Sequence, residues 1–343
     1  MNRLPTALTS GTTRYVLGRV GQAVLVLWAA YTVAFLVLYG LPGDPAALIA
    51  AGGDPANSSA TPEQVAALRA QYGYDQPLPV QYLHHLGAAA TGDLGVSPRS
   101  GPVGASLAQA LPATAQIAVL GLVLSVVVGG GLALLATYVR ARWARQLLLS
   151  LPPLGVSVPT FWVGLLLLQG FSFGLGWFPA FGNDGLSSLV LPAVTLAVLG
   201  SALIAQVFAR SLRAEGSAPY ADTARAKGAS RARVHLRHTA RNASLPTFTI
   251  TGVLVGQFLA GTVVTETVFS RTGLGQLTAT AVSTQDIPLA LGVVVLGAAV
   301  VVTASLLVDL LYPVLDPRMR RAGRAPSARP GRPAAELVAE VAR

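Results

Sequence analysis

Long apolar runs dominate the hydrophobic pattern of this chain and predict membrane-spanning helices. A spanning helix needs about 20 mostly apolar residues, and six stretches meet this length. They cover residues 15–40, 112–139, 151–176, 189–209, 246–268 and 287–313. Polar segments separate them. The pattern therefore predicts an all-α integral membrane protein with six transmembrane helices.

The first apolar run has two interpretations. Arg3, Arg14 and Arg19 precede it, as basic residues precede the core of a secretory signal peptide. However, residues 20–41 carry no charge, and this stretch exceeds the ~7–15 apolar residues of a signal peptide. The length favours an uncleaved transmembrane helix, with a cleaved signal as the alternative.

Composition agrees with a membrane protein and excludes several other classes. Hydrophobic residues make up 52% of the chain and charged residues 11%, and the mean hydropathy is +0.58. Soluble domains carry about 25% charged residues, and disordered chains have low hydrophobicity. The chain has no cysteine, which excludes disulfides and thiolate metal sites. Its histidines, His84, His85, His235 and His238, lack zinc-site spacing and are interpreted as surface residues.

The basic residues predict the orientation in the membrane. The net charge is +10, and all of the 24 Lys and Arg residues except Arg69, Arg99 and Arg271 fall on one side of the six-span arrangement. Because cytoplasmic segments are enriched in Lys and Arg, both termini are expected in the cytoplasm. The orientation explains the positive charge without nucleic acid. Residues 1–14 form the cytoplasmic N-terminus, and residues 314–343 form a disordered basic tail that membrane lipid could attract.

The segment between the first two spans, residues 41–111, is expected to fold outside the membrane. Thr61 and Gln64 have the spacing of a capping box, with Pro62 at the first helical position. Gly73 suits the position after the helix. A second helix is predicted at 80–90. The segment is either a cap that packs on the bundle or a docking surface for an external partner.

The cytoplasmic segment 211–245 is long and basic. A helix with small side chains is predicted at 219–227, ended by Gly228, and a second helical run at 230–242. Such a helix could fit a groove on another protein, or the segment could be a solvated basic loop.

The spans lack the chemistry of a self-sufficient carrier or enzyme. Ionisable groups within a bilayer normally mark function, but Glu266 and Asp309 lie near span ends and are interpreted as charges at the interface. Neither a nucleotide-binding loop nor a GxSxG motif occurs. These absences predict a conduit that needs an energising partner at its cytoplasmic face.

Eleven sequence strings, in order along the chain, carry a family resemblance. They are LPGDP (41–45), TPEQVAALRAQYGYDQPLPVQYL (61–83), GDLGVS (92–97), LPAT (111–114), VPTFWVGLLLL (158–168), GWFPAFG (176–182), LVLPAVTLA (189–197), YADTARAKGAS (220–230), RHTARNASLP (237–246), ETVFSRTGLG (266–275) and VDLLYPVLDPR (308–318). With them the chain resembles the B-type permease subunit of bacterial dipeptide, oligopeptide and nickel ABC importers. The resemblance implies a type I importer permease fold, with 112–313 as the permease core.

The resemblance also implies a role for the cytoplasmic loop. Permeases of this family carry an EAA motif there, which forms a coupling helix that seats in a cleft of the ATPase. Asp222, Thr223, Ala224 and Gly228 match this motif, whereas Leu245-Pro246 lies later than the Leu-Pro that usually closes it. The predicted coupling site consists of Tyr220, Asp222, Thr223, Ala224, Arg225, Lys227, Gly228 and Arg231. Its basic members are expected to pair with acidic groups of the ATPase.

The partners implied by the resemblance are a second permease subunit, two ATPase subunits or domains, and an extracytoplasmic substrate-binding protein. ATP and magnesium would bind the ATPases, so the chain itself is expected to be neither an enzyme nor a cofactor-binding protein. The expected location is the bacterial cytoplasmic membrane, and the expected cargo is di- or oligopeptides. Nickel or another small solute is the alternative cargo. A secondary transporter and a membrane-anchored enzyme or scaffold are the rival classes.

Overall fold

The described part of the chain is almost entirely helical. The structure is a computed structural model that describes residues 7–40, 43–51 and 61–315. Its helices are α1 (Ala7–Tyr39), α2 (Pro45–Ala50), α3 (Pro62–Tyr72), α4 (Leu78–Ala90), α5 (Val103–Tyr138), α6 (Arg142–Ser157), α7 (Thr160–Leu167), α8 (Ser187–Gly216), α9 (Pro219–Ala226), α10 (Arg231–Arg233), α11 (Ala240–Val268), α12 (Leu274–Ser283) and α13 (Ile287–Leu315). Two π-helical segments, Leu168–Gly174 and Val234–Thr239, extend α7 and join α10 to α11. A short antiparallel hairpin, β1 (Val96–Ser97) and β2 (Gly101–Pro102), precedes α5.

Within the described residues, five helices are long and apolar enough to cross a membrane, and the bent pair α6 and α7 makes six if it forms one span. The all-α membrane fold predicted from the sequence is confirmed. The predicted tail, apart from its first residues, and the side chain of Asp309 lie outside the described residues.

The third span is not the continuous helix that was predicted. α6 and α7 meet at an angle of 104°. Val158 between them is extended, with φ −89° and ψ 128°, because a residue before proline is driven away from helical geometry and Pro159 follows. Hydropathy alone does not detect this break, since the apolar run 151–176 continues across it.

α1 begins at Ala7, before the predicted residue 15, and α5, α8 and α11 extend beyond their apolar runs. α5 begins at Val103, so Pro112 lies inside the helix and does not start it. α8 continues past residue 209 to Gly216, and α11 is joined through the π-helical segment to α10. The predicted run 230–242 is therefore one end of the fifth span. The hydrophobic pattern missed these extensions because they pack on other helices beyond the apolar run.

α8 lies at the centre of the bundle and packs against α5, α11, α6 and α7, while α1 pairs with α13. In α8, 67% of the most apolar stretch is buried, against 28% or less in the other four unbroken candidate spans. α5 approaches α8 through a stripe of small residues, Gly121, Ser125 and Gly129. A Cβ atom on Gly129 would lie 2.5 Å from the carbonyl oxygen of Ser201. Small residues allow such close packing in lipid, where no hydrophobic force drives helices together.

The predicted capping of α3 is confirmed. Thr61 Oγ1 accepts from the Gln64 amide at 3.3 Å, and Gln64 Oε1 accepts from the Thr61 amide at 3.0 Å. Gly73 ends the helix with a φ of +69°.

α4 lies against α1, and begins two residues before the predicted 80–90. The hydroxyl oxygens of Thr32 and Tyr82 are 2.8 Å apart, and Tyr39 Oη is 3.2 Å from His85 Nε2. His85 is partly buried, and its burial lowers its pKa. The prediction of surface histidines is therefore wrong for His85. These contacts favour the interpretation of this part of the segment 41–111 as a packing cap.

Candidate functional site

The candidate site lies on α9, a short helix that follows the end of α8. Pro219 occupies the first turn, as helix starts favour, and Ala218 before it is extended. Gly228 follows the helix with a φ of +82°, and its amide donates to the Arg225 carbonyl at 2.9 Å. Ser230 then caps α10 by accepting from the Arg233 amide at 3.3 Å. The predicted helix 219–227 and its glycine stop thus agree with the structure to within one residue.

One face of α9 is fixed to α8. Ala221 is fully buried. Tyr220 Oη donates to Glu215 Oε2 at 2.5 Å, and Arg225 Nη2 donates to the Gly216 carbonyl at 2.9 Å. Because these bonds join α9 to the last turn of α8, the two helices are expected to move together.

The other face of α9 is small and polar. Asp222, Thr223, Lys227 and Gly228 are exposed, and Ala224 is partly buried. Asp222 forms an ion pair of 2.5 Å with Arg225, in which its own side chain is 70% exposed. A protein that docks on α9 would therefore meet short side chains and a mixed-charge surface.

Arg231 is separated from this surface. Its guanidinium donates to the Tyr138 carbonyl and lies over the Tyr138 ring, 4.7 Å from the centroid. It therefore joins α10 to the end of α5. His235, also expected at the surface, is partly buried, and its Nε2 lies 3.3 Å from the Leu134 carbonyl oxygen. Seven of the eight predicted site residues lie on or directly after α9, and Arg231 follows them at the start of α10.

A buried carboxylate at the opposite end of the bundle was not predicted. Glu266 is fully buried, so the interpretation of it as an interfacial charge is wrong. Its Oε1 accepts from Thr114 Oγ1 at 2.6 Å, and its Oε2 accepts from the amides of Gly275 at 2.8 Å and Gln276 at 3.2 Å. These amides belong to the first turn of α12, where the helix dipole favours negative charge. Glu266 therefore ties α11 to α5 and α12.

Arg271 is also fully buried, although it was expected as an external charge in a turn. Its Nη1 donates to the Gly182 carbonyl at 2.9 Å and to the carbonyl and hydroxyl oxygens of Ser188 at 3.1 and 3.0 Å. The sequence signal for both residues is that an acid and a base lie five positions apart, just before two glycines, in ETVFSRTGLG.

Asp286 anchors the hairpin of β1 and β2 to α13. Ser97 Oγ donates to Asp286 Oδ2 at 2.5 Å, and Asp286 Oδ1 accepts from the Leu289 amide at 3.2 Å. Ser97 Oγ accepts in turn from the amides of Arg99 and Ser100. The hairpin is thus held at the start of the sixth span. In the described part of the chain, no three His, Asp or Glu residues are grouped so as to hold a metal ion.

The fold is thus that of a membrane-spanning helix bundle with one short helix, α9, that projects at one end. The chain matches the family described as binding-protein-dependent transport system inner membrane component over residues 121–321, and the N-terminal family of the same systems over residues 12–117. It belongs to this family of inner-membrane permeases. The resemblance inferred from the eleven strings is confirmed.

Curated relatives match along nearly the whole chain. A Brucella abortus protein named as a peptide transport system permease is 36% identical over 317 residues, covering 90% of this chain and 99% of its own length. The glutathione transport system permease protein GsiC of Escherichia coli O6:H1 is 36% identical over 311 residues, covering 89% of this chain and 98% of its own length. The similarity thus spans nearly the whole length of both relatives, in agreement with the predicted resemblance.

Proposed function

We propose that this permease passes peptides, delivered by an extracytoplasmic binding protein, across the cytoplasmic membrane, and that α9 is its coupling helix to an ATPase. Relatives named for peptide and glutathione transport support the cargo class. The observation that carries the coupling role is the geometry of α9. Its exposed face is free to dock, and its other face is bonded to α8.

Because α8 is central, a contact made by the ATPase at α9 can affect the whole bundle. A push on α9 reaches α8 through the Tyr220–Glu215 and Arg225–Gly216 bonds. Since α8 packs on four neighbouring helices, its displacement would change the packing of the bundle. Alternating access then follows from closure and opening of the ATPases.

The proposed assembly places α9 and both termini in the cytoplasm, in accord with the positive-inside distribution. A second permease subunit completes the pathway, and two ATPase subunits or domains bind ATP and magnesium. The binding protein meets the opposite face, where the segment 41–111 and the turn before α12 lie. The chain contributes conformational change and leaves the hydrolysis to its partners.

The coupling role is tested by ATPase activity in the reconstituted complex. Asp222→Arg inverts the charge on the exposed face of α9, and Gly228→Glu adds a charged side chain where φ is positive. Both should abolish the stimulation of ATP hydrolysis by the loaded binding protein. Asp184→Arg, an exposed charge inversion at the opposite end, and Gly228→Asn, which tolerates positive φ, are the controls. Full stimulation in both α9 variants would overturn the proposal.

The cargo is tested separately, in vesicles that contain the whole importer. Uptake of labelled dipeptides, longer peptides and glutathione should depend on ATP and on the binding protein. Competition by Ni²⁺ should have no effect. Uptake of nickel without any peptide would replace the peptide proposal by the nickel alternative and leave the role of α9 standing.

A further inference from the structure

A cleft of about 220 Å³ opens between the end of α5, the end of α8, α9 and the π-helical segment before α11. Its lining includes Arg213, Arg225, Arg231, His235, Thr137 and Thr239. The cleft is smaller than the ~300–1,000 Å³ of sites for drug-sized ligands. It therefore suits one compact group.

The lining carries three arginines and no acidic side chain. Each arginine is held by a backbone carbonyl. Arg213 Nε donates to Ala209 at 3.3 Å, Arg225 Nη2 donates to Gly216 at 2.9 Å, and Arg231 donates to Tyr138. These bonds fix the three positive charges around one space against their mutual repulsion.

The nearby acidic groups offset only part of this charge, that of Arg225. Asp222 pairs with Arg225, but it lies on the exposed face of α9 and does not line the cleft. Glu215 accepts from Tyr220 and is also absent from the lining. An excess of positive charge therefore faces the cleft, with hydroxyl groups of Thr137 and Thr239 beside it.

The depth of the cleft indicates the kind of anion. Thr137 belongs to the last turn of α5, at the end of an apolar span, and this is the level at which we expect lipid headgroups. Basic pockets between transmembrane helices at this level bind acidic headgroups, and arginine suits phosphate because its planar fork donates two parallel hydrogen bonds. We propose that this cleft is a binding site for a phosphate group, supplied by an acidic phospholipid or by free phosphate. A bound phosphate would join α5, α8, α9 and α10 at the place where α9 leaves the end of α8.

The test uses the purified full-length chain without ATPase subunits, because those subunits bind phosphate themselves. Arg213→Gln removes one charge from the cleft. Arg210→Gln removes the same charge one turn earlier on α8, from an exposed arginine that does not line the cleft. Arg213→Lys keeps the charge and controls for folding.

Two measurements separate the sources of phosphate. In phosphatidylcholine nanodiscs, titration calorimetry measures the binding of inorganic phosphate. In nanodiscs that also contain phosphatidylglycerol, native mass spectrometry counts the phosphatidylglycerol molecules retained. We expect Arg213→Gln to weaken binding about tenfold, as the loss of a charged hydrogen bond implies. Arg210→Gln should bind like the wild type, and Arg213→Lys should retain most of the binding.

The outcomes are distinct. Phosphate binding that depends on Arg213 assigns the site to the free anion, and retention of phosphatidylglycerol without phosphate binding assigns it to the headgroup. If the wild type retains neither, the proposal fails, and an acidic side chain of a partner becomes the cleft's occupant. Equal losses in Arg213→Gln and Arg210→Gln would overturn it as well. Because both measurements are made without transport, their failure would not affect the proposed coupling role.

Discussion

Thr114 Oγ1 donates to Glu266 Oε1 at 2.6 Å and joins α5 to α11 across 152 residues of sequence. The same hydroxyl oxygen accepts from the Leu274 amide at 2.7 Å, at the start of α12. Both Thr114 and Glu266 are fully buried, with exposures of 0%. One hydroxyl group thus connects three helices at the end of the bundle opposite α9.

Replacing this hydroxyl should destabilise the protein. Thr114→Val keeps the shape of the side chain but leaves a carboxylate oxygen and an amide without their partner. Each buried polar group left unpaired costs about 1–3 kcal/mol, so a clear fall in the unfolding temperature in detergent is expected. Thr267→Val, an exposed threonine bonded only to the Val263 carbonyl of its own helix, is the control. Equal melting of the two variants would contradict the role given to Thr114.

Two adjacent glycines of α5 should respond in opposite ways to alanine. At Gly129 the added Cβ would meet the Ser201 backbone at 2.5 Å, whereas at Gly130 nothing lies within 4 Å. Gly129→Ala should cost about 1–3 kcal/mol by overpacking. Gly130→Ala should be neutral or stabilising by about 0.5–1 kcal/mol, since glycine weakens helices. Thermal unfolding of both variants measures the contrast, and a stable Gly129→Ala protein would show that α5 and α8 are less tightly packed.

Acid should release α2 at a pH that depends on Arg69. The Arg69 guanidinium donates to Asp44 at 2.6 Å and lowers the pKa of this carboxyl from its ordinary 3.8. Asp44 also caps α2 by accepting from the Ala46 amide. Because the folded pKa is depressed, the stabilisation is present above the unfolded pKa and is lost as the pH falls through the folded pKa.

Arg69→Gln should therefore move the release of α2 up in pH, towards 3.8. The shift should be small, since exposed ion pairs are screened. Hydrogen exchange of peptides that cover Pro45–Ala50, corrected for intrinsic pH effects, measures it. An unchanged pH profile in Arg69→Gln would mean that the ion pair does not control the cap.

The hairpin before α5 should loosen when its anchor is removed. Ser97→Ala leaves Asp286 Oδ2 without its donor and the amides of Arg99 and Ser100 without their acceptor. Faster hydrogen exchange is expected in residues 96–102, with little change in α8. Ser150→Ala, an exposed serine whose hydroxyl donates to the Leu147 carbonyl of its own helix, is the control. Similar exchange in the two variants would show that Asp286 does not hold the hairpin.

Several helices could be predicted from local sequence signals alone. Capping residues and a following glycine define α3, and Pro219 with Gly228 defines α9, because these residues act within one or two turns. The break between α6 and α7 also has a local cause in Pro159. It was missed since the apolar run continues across it and hydropathy records only composition.

Long-range contacts decided the features that sequence reasoning placed wrongly. Glu266 and Arg271 were assigned to the surface by their position near a span end. Their partners Thr114, Gly182 and Ser188 come from distant parts of the chain. Arg231 stays a predicted member of the coupling site, and its bond to Tyr138 on α5 is a further contact that spacing does not report. Charge and spacing do not report such partners.

The sequence by itself determined the membrane class, the number of apolar segments, the family and the helix that projects from the bundle. Each of these rests on hydrophobicity, charge or short motifs, which act locally. Only the tertiary structure decided that α8 is central, that an acid and a base are buried opposite α9, and that three arginines surround one cleft. These features exist only where helices distant in sequence meet, because close packing and satisfied polar groups are properties of the assembled bundle.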